Sequence, residues 1–458
     1  MPDFDAESDA RLDLFLDHVT SPLENATQRA VFAEYAVGLL SDAERKSMEP
    51  LAALARPDEP GAAHKAFVYF TGTARWDDLT VRRHAAAWAL WGMTAGGPVR
   101  GTILDDTGIL KQGKHSVGVQ RQYTGSAGKI TNCQIAVTLG VYTPQHSALI
   151  DVDLYLPQEW ISSPARRLRA RVPEDKEFRT KGQIALDMLK AARRDGVPLG
   201  EVLLADADYG RLWELRQWCR DEGMHYAVGI HETQHIWDAD GTWTEPMSVE
   251  DYVSFLGPGD FRRIEWRTGA NGKRLSARFA FLQVQITRRG VEPVSGTTPT
   301  EWLVIEWRDG EARPKHFSLC HLPATLSQRA MVGTLKERWR IERIHEDLKG
   351  EVGFDHFEGR SWPGWQHHAT LALVCHALLV AERCVAFPPG ASRRRPAGPN
   401  RATSSEASRA LAAVDPASAR PTSPAAVPAA LPALRRGPPS RPTGRRHARR
   451  GADAELGQ

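Results

Sequence analysis

Only five of the 458 residues are cysteines, and Cys133, Cys219, Cys320, Cys375 and Cys384 stand far apart with no CxxC pair. This excludes a disulfide framework and a cysteine-based zinc site, so the thiols read as reduced, small hydrophobes. No apolar run reaches the ~18 to 20 residues that span a bilayer. The longest, Thr370 to Ala381, contains His376 and stops at Glu382, so it reads as a buried helix and no membrane is expected as partner. Positive charge is missing near the start, where Asp3, Asp5, Glu7 and Asp9 crowd together and no apolar stretch follows. No secretory signal is expected, and the protein reads as cytoplasmic. Residues 388–458 lack Lys, Phe, Trp, Tyr and Ile and are rich in Pro, Ala and Ser. Such a tail cannot bury enough apolar surface to offset its ordering entropy and is expected to be disordered.

What is present fits a multidomain globular chain. Hydrophobic residues at 41% and charged residues at 25% are ordinary values, and the length suits two or three domains with a sizeable core. The net charge of +3 hides an asymmetry: 13 of the 59 basic residues but only 4 of the 56 acidic ones lie in 388–458, leaving the rest of the chain net acidic. Arg393, Arg394, Arg395 and the cluster from Arg445 to Arg450 could neutralise phosphates, or simply end the chain in a solvated arm.

Helical spacing dominates the first hundred residues. Leu12, Phe15, Leu16 and Val19 fall at i, i+3, i+4 and i+7; Phe32, Tyr35, Ala36 and Leu39 follow; Ser41 with Glu44 forms a capping-box pattern that predicts a third helix; Val81 to Trp91 predicts another. The period then changes. Gly101 to Asp105, Cys133 to Val141 and Ser147 to Leu156 read as an antiparallel meander, followed by a helix at Gly182 to Arg194, a strand at Glu201 to Ala205, a helix at Leu212 to Arg220 and a strand at Tyr226 to Ile230. From about His231 to Pro323 the pattern is strands only. Helical periodicity returns from Leu326 to about Gly350, and a last apolar helix spans Trp365 to Glu382. The fold class is α/β.

Three short patterns bear on chemistry. Gly108 to His115 approaches a phosphate-binding loop but has His115 in the last position, and the segment after it is strand-like rather than the helix such a loop must open. His231-Glu232-Thr233-Gln234-His235 matches a zinc-protease motif, yet it leaves a strand and runs into a turn, so the two imidazoles are not expected on one helical face. A zinc metallopeptidase built on His231 and His235 stays as an alternative from another class. The third pattern is a set of acids, Asp105 and Asp206 at strand ends and a Glu on the late helix, whose hard oxygens suit Mg²⁺ or Mn²⁺. At about 100° per residue, Arg338, Glu342 and Lys349 lie within about 40° of one another on that helix, while Ile341, Ile344 and Leu348 face away. The stripe could present Glu342 to metal with Arg338 and Lys349 on phosphates, or be a solvated face with an i, i+4 ion pair.

Arg338-Trp-Arg-Ile-Glu342 followed by Lys349, seven residues after the Glu, resembles the Y-R-E-K signature of insertion-sequence DDE transposases. Leu104 to Gly108 with Lys111 to Gly118 resembles the first-aspartate region of DDE superfamily endonucleases. Leu204 to Gly210 is similar to the second-aspartate region, and Gly350 to Trp365 to the stretch after the Glu. The signature Tyr would fall at Leu335. The resemblance implies an RNase H-like catalytic core whose metal ligands are Asp105, Asp206 and Glu342, holding two Mg²⁺ ions for which Mn²⁺ could substitute. It also implies Arg338 and Lys349 as DNA-binding residues and a β-rich insertion before Glu342. Asp106 and Asp208 stand beside the favoured aspartates and leave the register open. The expected organisation is an N-terminal helical domain (1–98), the first part of the core (99–230), the insertion (231–324), the second part with the Glu helix (325–384) and the Arg/Pro/Ala-rich tail (385–458). The implied function is metal-dependent cleavage at transposon ends and strand transfer, a cut-and-paste transposition on double-stranded DNA, both terminal inverted repeats and target. A homodimer in the DNA complex and a bacterial, nucleoid-associated location follow from the same resemblance. A catalytically inactive DNA-binding relative is the alternative.

Overall fold

Apolar alternation between turn-forming residues sets the strands, and the way those strands pair sets the site. The computed structural model describes residues 7–269, 272–287, 292–294 and 296–387, all within one compact unit. The tail expected to be disordered lies, from residue 388 onward, outside the described residues. Gly101–Leu110 (β1), Gln120–Thr124 (β2), Lys129–Tyr142 (β3) and Ser147–Leu154 (β4) form an antiparallel group in which β3 pairs with the other three. Val202–Ala205 (β5) lies parallel to β1, and His225–Ile230 (β6) parallel to β5.

Parallel neighbours need crossovers, and helices supply them. Gln158–Ile161 (α6), Pro164–Ala170 (α7) and Lys181–Arg194 (α8) precede β5; Ala207–Gly210 (α9) and Trp213–Asp221 (α10) precede β6. Thr180 and Gln183 cap α8 reciprocally, its Ile184, Met188 and Leu189 are buried, and Gly196 at φ 74° ends it in the left-handed region that glycine tolerates. The chain reaches β1 through Ser8–Thr20 (α1), Ala26–Leu40 (α2), Met48–Ala55 (α3), Pro60–Gly72 (α4) and Asp78–Thr94 (α5). The third of these starts after Ser47, not at Ser41. The Ser41 hydroxyl instead donates to the Gly38 carbonyl and closes α2.

Residues 231–324 extend the core sheet. His235–Asp238 (β7), Met247–Ser248 (β8), Arg262–Thr268 (β9), Arg274–Gln285 (β10), Thr300–Trp307 (β11) and His316–His321 (β12) join it because β12 pairs antiparallel with β6. Among the described residues the 12-stranded sheet runs β2-β3-β1-β5-β6-β12-β11-β10-β7-β8, with β4 on β3 and β9 on β10. The strands-only expectation is corrected by a helix, Val249–Ser254 (α11), which forms because the Ser248 side chain caps the Asp251 N–H.

The late helical stretch is two helices, Gln328–Lys336 (α12) and Trp339–Gly350 (α13), broken at Glu337 and Arg338. The chain then enters Trp362–Ala386 (α14), buried over most of its length by α2, α4, α5 and β4. By length and composition α14 is apolar enough to cross a membrane, which corrects the composition reading, but 78% of that apolar window is buried inside the protein. Trp76 stacks on its His367 at 4.1 Å, and Arg82 of α5 donates to Thr370 at 3.0 Å. Arg82 and Arg83 also grip Asp151 of β4 at 3.1 and 3.0 Å, tying the N-terminal helices to the sheet.

Candidate active site

Strand pairing brings the first two acids together. Leu104 of β1 is in register with Ala205 of β5, so Asp105 and Asp206 follow side by side where the parallel pairing stops; β5 ends there, whereas β1 does not end at Asp105 as expected but runs on to Leu110, still paired with β3. Asp206 is held by its own turn: its carboxylate accepts from the N–H groups of Asp208 and Tyr209 at 3.0 and 3.3 Å and caps α9. Asp105 and Asp106 alternate across the sheet. Asp105 faces α13, where it accepts from Arg338, and Asp106 faces α8, where Lys181 donates to it at 2.6 Å and the Tyr209 hydroxyl at 3.4 Å.

The third acid arrives on α13. The Arg338 guanidinium donates through one nitrogen to Asp105 at 2.9 Å and through the other to Glu342 at 2.9 Å, spanning both carboxylates. Asp206, Arg338 and Glu342 line a cleft of about 870 Å³ between the core and the strands of residues 231–324, with Asp105 beneath Arg338. Burial pushes the Asp105 carboxyl up to about 7; Arg338 pulls it down, and neighbouring Asp206 pushes it up again. Asp206 is raised too, by burial, against the Tyr209 N–H and with reinforcement from Asp208 and Asp106.

These observations test the fit of a divalent ion. Three hard-oxygen carboxylates face one region, two of them are strained toward protonation, and a cation already bridges two. The donor set fits. As placed, no three His, Cys, Asp or Glu side chains among the described residues stand close enough to hold an ion, and the Arg338 guanidinium lies between Asp105 and Glu342.

Lys349 is placed differently from Arg338. Its ammonium donates to the Gly108 carbonyl at 2.8 Å and to Ser126 at 2.9 Å, so it ties α13 to the end of β1 and to the turn between β2 and β3. Leu335 lines the cleft wall where the signature Tyr would fall. His231 also lines the cleft, 3.6 Å from Asp208, but His231 to Gln234 form a turn and His235 opens β7. The two imidazoles share no helix, and the zinc-peptidase reading loses its geometry. The segment after Gly108 is likewise the end of β1 and a loop, not a phosphate-binding turn into a helix.

Charge alone did not reveal His345. It stands three residues after Glu342, at about −20° on the scale where Arg338 is 0°, inside the same stripe. Its Nε2 lies 2.9 Å from the Thr138 Oγ1.

Comparisons with known proteins show the family. Residues 15–251, just over half of the chain, match the family model described as DDE superfamily endonuclease, and residues 179–378 match the transposase DDE domain. The chain is 29% identical over 202 residues to the probable transposase for insertion sequence element IS701 of Microchaete diplosiphon, covering 44% of this chain and 48% of the relative. The chain thus spans about half the length of the curated relative it matches.

Proposed function

The chain belongs to the DDE superfamily of endonucleases, among the insertion-sequence transposases, and from that premise we propose that it cleaves DNA at transposon ends and transfers the freed strands to a target by a cut-and-paste route. The observation that carries the reading is one guanidinium spanning Asp105 and Glu342 beside Asp206. An antiparallel group of β1 to β4 continued by the two parallel strands β5 and β6 supports an RNase H-like core, with residues 231–324 as an insertion that extends its sheet. Families of this kind generally use divalent metal ions. Held by Asp105, Asp206 and Glu342, two Mg²⁺ ions, or Mn²⁺ in their place, would lower the pKa of a bound water and stabilise a departing 3′ oxygen.

The protein's own groups do the rest. Asp206, fixed by two backbone N–H groups, offers its carboxylate in one orientation, and Glu342 offers one from the rim of the cleft. Arg338 is the cation best placed to turn from the carboxylates to a DNA phosphate, bidentate by its planar fork. Lys349 serves the same backbone from the far end of α13 if its bonds to Gly108 and Ser126 are exchanged for phosphate. Double-stranded terminal repeats and target DNA as partners, a homodimer on paired ends, and a bacterial cytoplasmic, nucleoid-associated location belong to the same proposal.

The test is cleavage, with Mg²⁺, of a labelled duplex carrying the DNA on either side of the gene, where the proposal places terminal inverted repeats. Asp105→Asn, Asp206→Asn and Glu342→Gln should each lower cleavage by about a thousandfold or more while DNA binding persists. A fully active Glu342→Gln protein refutes the assignment. Leu335, which cannot hydrogen-bond a phosphate, favours a second reading, a catalytically inactive DNA-binding relative. Binding without cleavage by the unaltered protein would select it.

A further inference from the structure

Three side chains fasten α13 to the β1–β3 pair, at three heights along the helix. Arg338 reaches Asp105, Lys349 reaches the Gly108 carbonyl, and between them His345 Nε2 lies 2.9 Å from the Thr138 hydroxyl of β3, which itself donates to the Asp105 carbonyl at 3.0 Å. The proton count fixes the roles. A hydroxyl has one hydrogen, and with that hydrogen on the Asp105 carbonyl, Thr138 must accept from His345, so the imidazole carries its proton on Nε2. One end of this chain is the helix that bears Glu342, and the other is the backbone of Asp105.

We propose that His345 is a positioning residue for the acidic site: through Thr138 it sets the separation between the helix of Glu342 and the strand of Asp105, and thereby the spacing at which the two carboxylates share divalent ions. The inference rests on reading the three acids as a metal site. Lys349 secures only the far end of α13, and Arg338 must leave Asp105 for the acids to take up a cation, so His345 is the link that persists in both states. Burial, with Lys349 and Arg338 nearby, holds its pKa down to about 3, so the ring is neutral and needs no counter-charge to keep this bond. Glu-x-x-His is thus a pair with two offices, one group aimed into the cleft and its neighbour pinned to the sheet.

The experiment is calorimetric titration of Mn²⁺ into the full-length protein without DNA, with thermal unfolding of each variant alongside. His345→Leu, which keeps bulk and loses the donor, should weaken Mn²⁺ binding about tenfold or more, within the range expected when a group orienting a metal ligand is lost. His345→Gln, whose amide N–H can reach Thr138, should restore binding to within about threefold of the unaltered protein, although its unfolding temperature shifts as much as that of the Leu variant. Thr138→Val should show the same loss, and the double variant no more than the larger single one. His345→Leu binding Mn²⁺ as the unaltered protein does, or His345→Gln binding as weakly as His345→Leu, overturns the proposal. Glu342→Gln separates the two claims: if it binds Mn²⁺ undiminished, the metal-site reading itself fails, whereas loss in Glu342→Gln alone leaves that reading standing and removes only the role of His345.

Discussion

Helices α13 and α14 pack against the same sheet, yet they are built on opposite terms. The face that α14 turns to α5, α2, α4 and β4 is almost wholly apolar, and its buried polar groups are few and mostly tied down, as His367 is to the Thr71 carbonyl at 2.7 Å. Helix α13 buries Ile341, Ile344, Asp347 and Leu348 and turns Arg338 and Glu342 toward the cleft, where burial and neighbouring aspartates raise Asp105 and Asp206. The contrast shows where each kind of free energy sits. A surplus of packing in one helix lets the other hold charges that are unfavourable until a ligand relieves them.

Substitutions can break that contrast, and the largest effect should fall on function alone. Asp206→Asn keeps the oxygen that caps α9 but removes a charge that burial and neighbours disfavour. Mn²⁺ binding and DNA cleavage should be lost, the latter by about a thousandfold, with an unfolding temperature unchanged or slightly raised. A large fall in that temperature would show the acid to be structural. The reverse pattern is expected at the anchor of α5 on β4. Asp151→Ala leaves Arg82 and Arg83 without their shared partner in the interior and should cost about 3 to 5 kcal/mol in urea unfolding. Within α14, Leu371→Ala should cost about 2 to 5 kcal/mol by the same measurement, from lost burial and the cavity left behind.

The smallest effect is a pH dependence. His376 of α14 is buried with neither ring nitrogen hydrogen-bonded, and burial pushes its pKa down to about 4, with Asp347 opposing and Arg383 assisting. A folded pKa below the ordinary value of about 6.5 means that its contribution to stability is whole above pH 6.5 and is lost as pH falls toward 4. His376→Leu should therefore flatten the acid limb of the stability profile by on the order of 2 kcal/mol. An unchanged limb would assign the acid sensitivity to other groups, His18 and His368 among them, which are displaced in the same direction.

Much of the architecture was legible because alternation and helical spacing report burial directly. The strands β1, β3, β4, β5 and β6, the helix α8 and the largely apolar α14 all follow from that signal. The break between α12 and α13 was not, since neither Glu337 nor Arg338 is a helix breaker and only the side-chain bonds to Asp105 and Glu342 mark the turn. In the site, Asp105 could be separated from Asp106 only by the face each takes on β1, which pairing with β3 and β5 decides and composition does not. Lys349 reads in the sequence as a DNA-binding cation, and nothing local announces that it donates to the carbonyl of Gly108 and the hydroxyl of Ser126. His345 gives no such signal for a simpler reason: the stripe stands out by its charge, and a neutral imidazole carries none.

The most direct test of the central claim is anomalous scattering from crystals of the protein soaked in Mn²⁺. The account predicts a peak bonded to Asp105, Asp206 and Glu342, with the Arg338 guanidinium moved off the carboxylates. Absence of any such peak at saturating Mn²⁺, with Arg338 still spanning Asp105 and Glu342, would contradict it.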